Sequence, residues 1–486
     1  MSNAPVLVTP VRERSALICG VLIFIAVGGV LLAIAAAYRL RALSRPATEE
    51  AVVLAGMLAT AVVLWRWRVR PAQARRWVLG LFLISRLIVL VLVPSIPVSD
   101  FDAYYQLATL MARGQPLPPP EQVLYFNAWG YPLLLAPWFA VFGPSVGLAK
   151  LLNVAAGSVS CFLLYRLARP VCGPKAALVA TVLFVLWPGQ LLLTPVLASE
   201  HFALLFCLGF LVLLVRAFRE PGFAASTLGL AGVLLAASAA VRPSAAAAFA
   251  CALVLLFARR RSWRRRVLQL VVVIAAGVVT WGAYQSLLLR LYGQTPPAVG
   301  WYNLMVGVNF ATRGQYSPDD SRAYFAFPTA GARDRFARAT ARRRVSENVT
   351  RLPWLVRRKM LLLWGTDHDS VKWSTMSLTR SASSNWVAAH VGGLYAWSQY
   401  FHLGVLVLGG LGAIALARRR VSPLMLVPAL LLLAGTVLHA GFEVQPRYHY
   451  VFEVGLLVFA GVALTRWPAR KAGWRVASST TTHPSA

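Results

Sequence analysis

The chain has 486 residues, of which 58% are hydrophobic and 13% charged, about half the charged share of a soluble domain. Lys and Arg number 48 against 16 Asp and Glu, a net charge of +32. The apolar residues fall in runs of about 15–25, enough to cross a ~30 Å hydrocarbon core, which excludes a soluble fold. A nucleic-acid partner would need a basic face on a soluble fold, and none is visible, so the charge is read as loop anchoring at a membrane.

The composition predicts an all-α, polytopic transmembrane helical bundle. About twelve spans are expected, near 16–37, 51–66, 77–96, 146–168, 175–191, 197–216, 223–241, 244–258, 267–290, 395–417, 422–440 and 448–465. The first run is longer than the apolar region of a signal peptide and reads as an uncleaved helix. In the first outer loop, 101–113 reads as an amphipathic helix. Residues 130–142 are apolar but too short to span, so both segments are expected to lie at the interface. The Pro-rich 115–120 stretch between them reads as a semi-rigid connector. Residues 291–394 form one long outer loop, with a basic amphipathic helix at Pro353–Trp364, and the Ser/Thr-rich tail after Trp474 reads as disordered.

The organisation expected is two N-terminal spans (1–76), a transmembrane core (77–290) with its first outer loop at 97–145, the 291–394 loop, the C-terminal spans (395–470) and a tail (471–486). Five cysteines, Cys19, Cys161, Cys172, Cys207 and Cys251, form no CxxC pair and suggest neither a disulfide framework nor a zinc site.

Four Arg-rich clusters, at 66–76, 166–175, 259–266 and 418–420, fall on one side together with both termini, and the positive-inside rule makes that side cytoplasmic. The opposite face then collects Asp100, Asp102, Glu200, Arg242, the 291–394 loop and Arg447. Segments far apart in sequence thus converge on one membrane face.

Acid is scarce, so the pair Asp100 and Asp102 after the third span is a functional-site candidate. Such a pair can serve as a general base or bind a cation. The bland alternative is helix capping by either residue. Glu200 and His201 begin a span, where a carboxylate beside hydrocarbon needs a partner or water. Arg242 and Arg447 suit phosphate, because the guanidinium fork is always charged and binds oxygens bidentately; both also suit snorkelling anchors. Arg86, inside a span, needs a partner, for which the outer carboxylates are candidates. His439 and His449 flank one loop with Glu443 and Glu453 nearby. No tight ligand spacing is present, so no cofactor is expected and a divalent metal is the lesser alternative.

These residues, in order, resemble the GT-C superfamily of integral-membrane glycosyltransferases. The resemblance is to bacterial relatives of dolichyl-phosphate-mannose-protein mannosyltransferases and aminoarabinose lipid A transferases. It runs over about 77–465, through Arg86, Ser99-Asp100-x-x-x-Tyr104, Gly130-Tyr131-Pro132-Leu133, Lys150-Leu-Leu-Asn153, Trp187-Pro188-Gly189, Ser199-Glu200, Arg242-Pro243, Asn303-Leu-Met-Val-Gly307-x-Asn309 with Gly314, and Arg447-Tyr448-His449. The two spans before residue 77 are extra to that core.

The resemblance implies an inverting transfer of sugar from a polyprenyl-phosphate donor to an acceptor glycan, lipid or protein. Transfer takes place at the outer face of a bacterial inner membrane. It implies a first-loop Asp as base, Asp100 by position, with Asp102 open because the chain reads Asp-Phe-Asp where many relatives have Asp-Glu. It also implies Arg242, Arg447 and Lys150 as donor-phosphate ligands, and Tyr104, Tyr131, Glu200, His201, Asn303, Asn309 and His449 around the substrates. The competing reading is a transporter or flippase of lipid-linked sugars, for which polar residues deep in the spans and broken helices would speak; a non-catalytic assembly partner is the third.

Overall fold

The computed structural model describes residues 71–119, 129–220, 224–258, 262–417 and 423–466. The two expected N-terminal spans, Cys19, the Arg418–Arg420 cluster and the tail lie outside them. The described chain is all-helical, with one isolated antiparallel bridge between Ser95 and Leu378.

The helices are α1 (Pro71–Leu92), α2 (Asp100–Ala112), α3 (Gly130–Phe142), α4 (Val146–Cys172), α5 (Pro174–Leu186), α6 (Pro188–Leu193), α7 (Glu200–Arg219), α8 (Ala225–Val241), α9 (Phe249–Ala258) and α10 (Trp263–Tyr292). There follow α11 (Gly300–Gly307), α12 (Pro318–Phe325), α13 (Ala330–Glu347), α14 (Leu352–Gly365), α15 (Asp369–Thr375), α16 (Ala382–Ala389), α17 (Val391–Ala417), α18 (Leu426–Gly441) and α19 (Val454–Arg466). Among the described residues, five helical stretches are long and apolar enough to cross a membrane: 146–172, 200–219, 263–292, 391–417 and 423–441. Five shorter apolar helices accompany them.

The bundle core is one large cluster that runs from Val78 and Phe82 of α1 through α4, α5, α7 and α9 to α18 and α19. Its closest packing joins α17 to α19 at Gly412, where a Cβ would overlap the Phe459 carbonyl. Small residues let backbones approach in this way where lipid supplies no hydrophobic drive between helices. The four described cysteines are buried and free.

The 291–394 segment holds six helices, α11 to α16, and α14 coincides with the basic amphipathic helix expected at Pro353–Trp364. Two expectations are corrected. The span expected at 175–191 breaks at Trp187, because Pro188 cannot donate a helical backbone bond and restarts the helix as the first residue of α6. The span expected at 448–465 begins only at Val454, since Pro446–His449 forms a 3-10 turn ahead of it.

Candidate active site

Four charged side chains from separate segments meet at one end of the bundle. Asp100 opens α2, Glu200 opens α7, Arg242 follows α8, and Arg447 sits in the turn between α18 and α19. Arg242 Nη1 lies 3.0 Å from Glu200 Oε1. Arg447 Nε lies 3.7 Å from the same oxygen, and its Nη2 donates to Asp100 Oδ2 at 3.3 Å. Two cations and two carboxylates thus balance.

Aromatic faces wall in the cations. The Arg447 guanidinium stands 5.1 Å from the Phe101 ring and 5.3 Å from that of Trp373, and Arg242 lies 4.6 Å from the Tyr448 ring. Burial works against the Arg447 charge, but Glu200 and Asp100 outweigh it and raise its pKa, so the cation is permanent.

The two carboxylates differ in access. The Glu200 side chain is 2% exposed, whereas that of Asp100 is 40% exposed. Only Asp100 can meet a second molecule without rearrangement. Ser99, just before it, adopts φ 55° and ψ −132°. Strain of that kind costs about 1–3 kcal/mol and persists where the surroundings over-determine it, commonly at functional sites. A third carboxylate, Glu443, is buried nearby. It accepts from Gln445 Nε2 at 2.8 Å and Tyr448 Oη at 3.3 Å, and burial raises its pKa despite those bonds.

Asp102 is not the N-cap considered from the sequence. The helix already begins at Asp100, and Asp102 in its first turn accepts from Gln106 Nε2 at 2.6 Å. Tyr104 is buried edge-on to Tyr131, whose hydroxyl donates to Asn153 Oδ1 at 3.0 Å. His201 turns into the bundle, with its ring nitrogens at Gln190 Nε2 and the Leu193 carbonyl. Lys150 Nζ donates to the Ser95 carbonyl at 2.6 Å and lines a cavity of about 520 Å³ with Pro94, Ile96 and Pro97.

Arg86 does not reach the outer carboxylates. It donates to the Val185 carbonyl at 2.5 Å and to Gln190 Oε1 at 2.9 Å, and its guanidinium stands 4.2 Å from the Phe82 ring. The carbonyls left open by the α5–α6 break are its partners.

The Asn303–Gly314 motif is a docking element. Glu443 N donates to the Asn303 carbonyl and Val444 N to that of Gly314. At Gly307 a Cβ would overlap the Gly441–Phe442 backbone. Asn309 Nδ2 donates to Asp320, which Arg344 grips with two bonds. Lys359, fully buried, donates to the Gly307 and Ala440 carbonyls at 2.8 and 2.9 Å. It thereby closes the C-terminal ends of α11 and α18. Burial lowers its pKa to about 7.

His449 lies in a separate, fully buried group with His402, Asp367 and Glu453. His439 does not join it; its Nδ1 meets the Glu443 carbonyl at 2.9 Å. Asp367, His402, Lys359 and Trp373 were not singled out from the sequence. His402 within an apolar run, and Asp367 and Asp369 in an acid-poor chain, were the available signals.

Residues 128–284 match the family of dolichyl-phosphate-mannose-protein mannosyltransferases. The resemblance read from the sequence is borne out over that segment. No curated protein matches the chain. Among solved structures, the oligosaccharyltransferase AglB of Archaeoglobus fulgidus, in complex with an inhibitory peptide and a dolichol-phosphate, is similar at 14% identity and a TM-score of 0.45, over 80% of this chain and 50% of its own. A complex of the same archaeal enzyme with Zn and sulfate gives 14%, 0.46, 79% and 48%. ArnT from Cupriavidus metallidurans, bound to undecaprenyl phosphate, gives 9% identity and a TM-score of 0.34, over 80% of this chain and 76% of its own. The chain spans about half the length of the archaeal enzyme. At these scores the structural likenesses carry no functional argument.

Proposed function

We propose that this chain is an inverting glycosyltransferase that takes a sugar from a polyprenyl phosphate and passes it to an acceptor hydroxyl at the outer face of a bacterial inner membrane, with both termini cytoplasmic. The observation that carries the reading is the cluster of Arg447, Arg242, Glu200 and Asp100, with Asp100 alone open at its edge. The family match over 128–284 supports it.

Asp100 accepts the acceptor's proton as the oxygen attacks the anomeric carbon. The new carbon–oxygen bond forms on the face opposite the phosphate. The old carbon–oxygen bond breaks, its electron pair goes to the phosphate oxygen, and polyprenyl phosphate leaves. Arg447 and Arg242 meet the charge that develops there, in a site whose donors are already held in place by Glu200. Asp102, engaged by Gln106, is the second candidate for the base. Tyr104 and Tyr131 shape the sugar floor, and Lys150 with its cavity suits the lipid's entry side. The 77–290 core and the α11–α16 segment act as one catalytic unit, and the spans before 77 are additions to it.

The test is binding of undecaprenyl phosphate to the protein in lipid nanodiscs, for wild type, Arg447→Met and Arg242→Met. A charge-assisted hydrogen bond contributes about 1.5–3 kcal/mol, so each variant should bind about 10- to 150-fold more weakly. Unchanged affinity in both would remove the arginines from the phosphate site.

A further inference from the structure

The group Asp367, His402, His449 and Glu453 lies wholly inside the protein, each residue 1% exposed or less. Each histidine has one ring nitrogen fixed as a donor by a backbone carbonyl. His402 Nε2 faces the Trp364 carbonyl at 2.7 Å, and His449 Nδ1 faces that of Leu363 at 2.7 Å. A carbonyl cannot donate, so both nitrogens carry hydrogen.

The other two nitrogens turn to one carboxylate. His402 Nδ1 is 3.0 Å from Glu453 Oε1, and His449 Nε2 is 2.9 Å from Glu453 Oε2 and 3.5 Å from Asp367 Oδ1. His402 Nδ1 and Glu453 Oε1 are aligned as a hydrogen bond, whereas His449 Nε2 and Glu453 Oε2 make none, although both are buried. A neutral imidazole holds one hydrogen, already spent on the carbonyl. Each free nitrogen therefore presents a lone pair to a carboxylate oxygen, which repels unless a positive charge stands between them.

We infer that this charge is a divalent first-row metal ion, with zinc as the best fit, held by His402 Nδ1, His449 Nε2, Glu453 and Asp367 Oδ1. Two imidazoles and two carboxylates are a ligand set of that class. Ligand atoms about 2.0–2.2 Å from a tetrahedral ion stand about 3.3–3.6 Å from one another. Three of the pairs stand 2.9–3.5 Å apart, and Asp367, His402 and His449 offer ligand atoms within 4.8 Å of one another, so an ion would draw the group together by small shifts. The outer partners fit as well. Metal-bound histidines usually donate their second N–H to a carbonyl or carboxylate, and ligating carboxylates are themselves hydrogen-bonded. Here Asp367 Oδ2 accepts from Trp187 Nε1 at 2.9 Å and Ser398 Oγ at 3.0 Å, which leaves Oδ1 free for the ion. Trp187, Trp364 and Tyr450 stack around His449 and exclude water.

The competing arrangement places a second proton on each ring. Burial opposes it, while Glu453 and Asp367 favour it and raise the His449 pKa to about 10. Metal content separates the two. The site ties α17 to the segment after α14 and to the turn that carries Arg447, so its role is to position that arginine, and it does not depend on the proposed reaction.

The experiment is elemental analysis of full-length protein, produced in zinc-supplemented medium and purified without metal-affinity resin or chelator. Wild type and Asp100→Asn should each carry about one zinc ion per chain. His402→Gln and Glu453→Gln should carry less than half of that. Should those variants not fold, wild type grown with cobalt should show the visible d–d absorption of a four-coordinate cobalt(II) ion. Folded wild type with less than half an ion per chain, folded cluster variants that keep the full amount, or protein from cobalt medium without that absorption would overturn the site.

Discussion

Replacement of Glu200 by Gln should destabilise the protein far more than replacement of Asp100 by Asn, although both carboxylates touch Arg447. Glu200 is 2% exposed and faces two guanidinium groups, at 3.0 and 3.7 Å. At an effective dielectric constant of about 20, pairs at those distances attract by about 5.5 and 4.5 kcal/mol before desolvation is subtracted. Removal of one partner from a buried pair leaves the other charge uncompensated and costs about 3–5 kcal/mol. Asp100 makes one contact of 3.3 Å from a side chain that is 40% exposed. Water screens such a pair to about 1 kcal/mol or less. Unfolding in mixed micelles titrated with SDS would give both values. Expected losses are about 3–5 kcal/mol for Glu200→Gln and under about 1 kcal/mol for Asp100→Asn. Equal losses for the two, or a Glu200→Gln protein as stable as wild type, would refute the view that Glu200 fixes the arginines while Asp100 stays available.

Asp102→Asn should keep most of the transfer activity, because its carboxylate is engaged by Gln106 and not by Arg447; a loss as deep as that of Asp100→Asn would make Asp102 a second essential acid. Lys359 gives a pH signature. Its pKa is about 7 in the folded chain against 10.5 unfolded, so the unfolded chain takes up the proton first as pH falls. Its contribution is complete above about 10.5, declines by about 1.4 kcal/mol per pH unit below that, and is lost once pH has fallen through about 7. Unfolding of Lys359→Met across pH 6.5–9.5 should show a flatter profile than wild type, and parallel profiles would contradict the assignment. Gly189→Ala should cost at least about 1–3 kcal/mol, the usual range for overpacking, since its Cβ would overlap the Asp367 carboxylate and the Tyr450 hydroxyl. Unchanged stability in the same SDS titration would show that the close approach is not needed.

Much of this was legible in the sequence because hydrocarbon leaves the backbone few choices. Apolar runs over 146–168, 267–290 and 395–417 could only be helices, and α4, α10 and α17 occupy them. Topology alone brought Asp100, Glu200, Arg242 and Arg447 to one face, and the structure joins them through salt bridges. What stayed hidden depends on contacts between distant segments. Arg86 finds its partners in carbonyls freed by the break at Pro188, and nothing near residue 86 announces them. His449 reads as a site residue by its place beside Arg447, yet its ring turns inward to His402 and Asp367, 47 and 82 positions away. Within 291–394 the amphipathic pattern at Pro353–Trp364 announced α14, whose buried face carries Leu355, Lys359 and Leu363, whereas the shorter helices α11, α12, α15 and α16, of seven or eight residues each, leave little periodic signal.

The central claim is that Asp100 serves as the base in sugar transfer from a polyprenyl phosphate. The most direct measurement is transfer from a panel of radiolabelled polyprenyl-phosphate sugars by purified protein in liposomes supplied with mixed envelope acceptors. Wild type and folded Asp100→Asn are compared on each donor. Loss of a general base costs about 10²–10⁴-fold, so one donor should give labelled product with wild type and at least about a hundredfold less with Asp100→Asn. Equal transfer by the two proteins, or no transfer by wild type from any donor, would contradict the account.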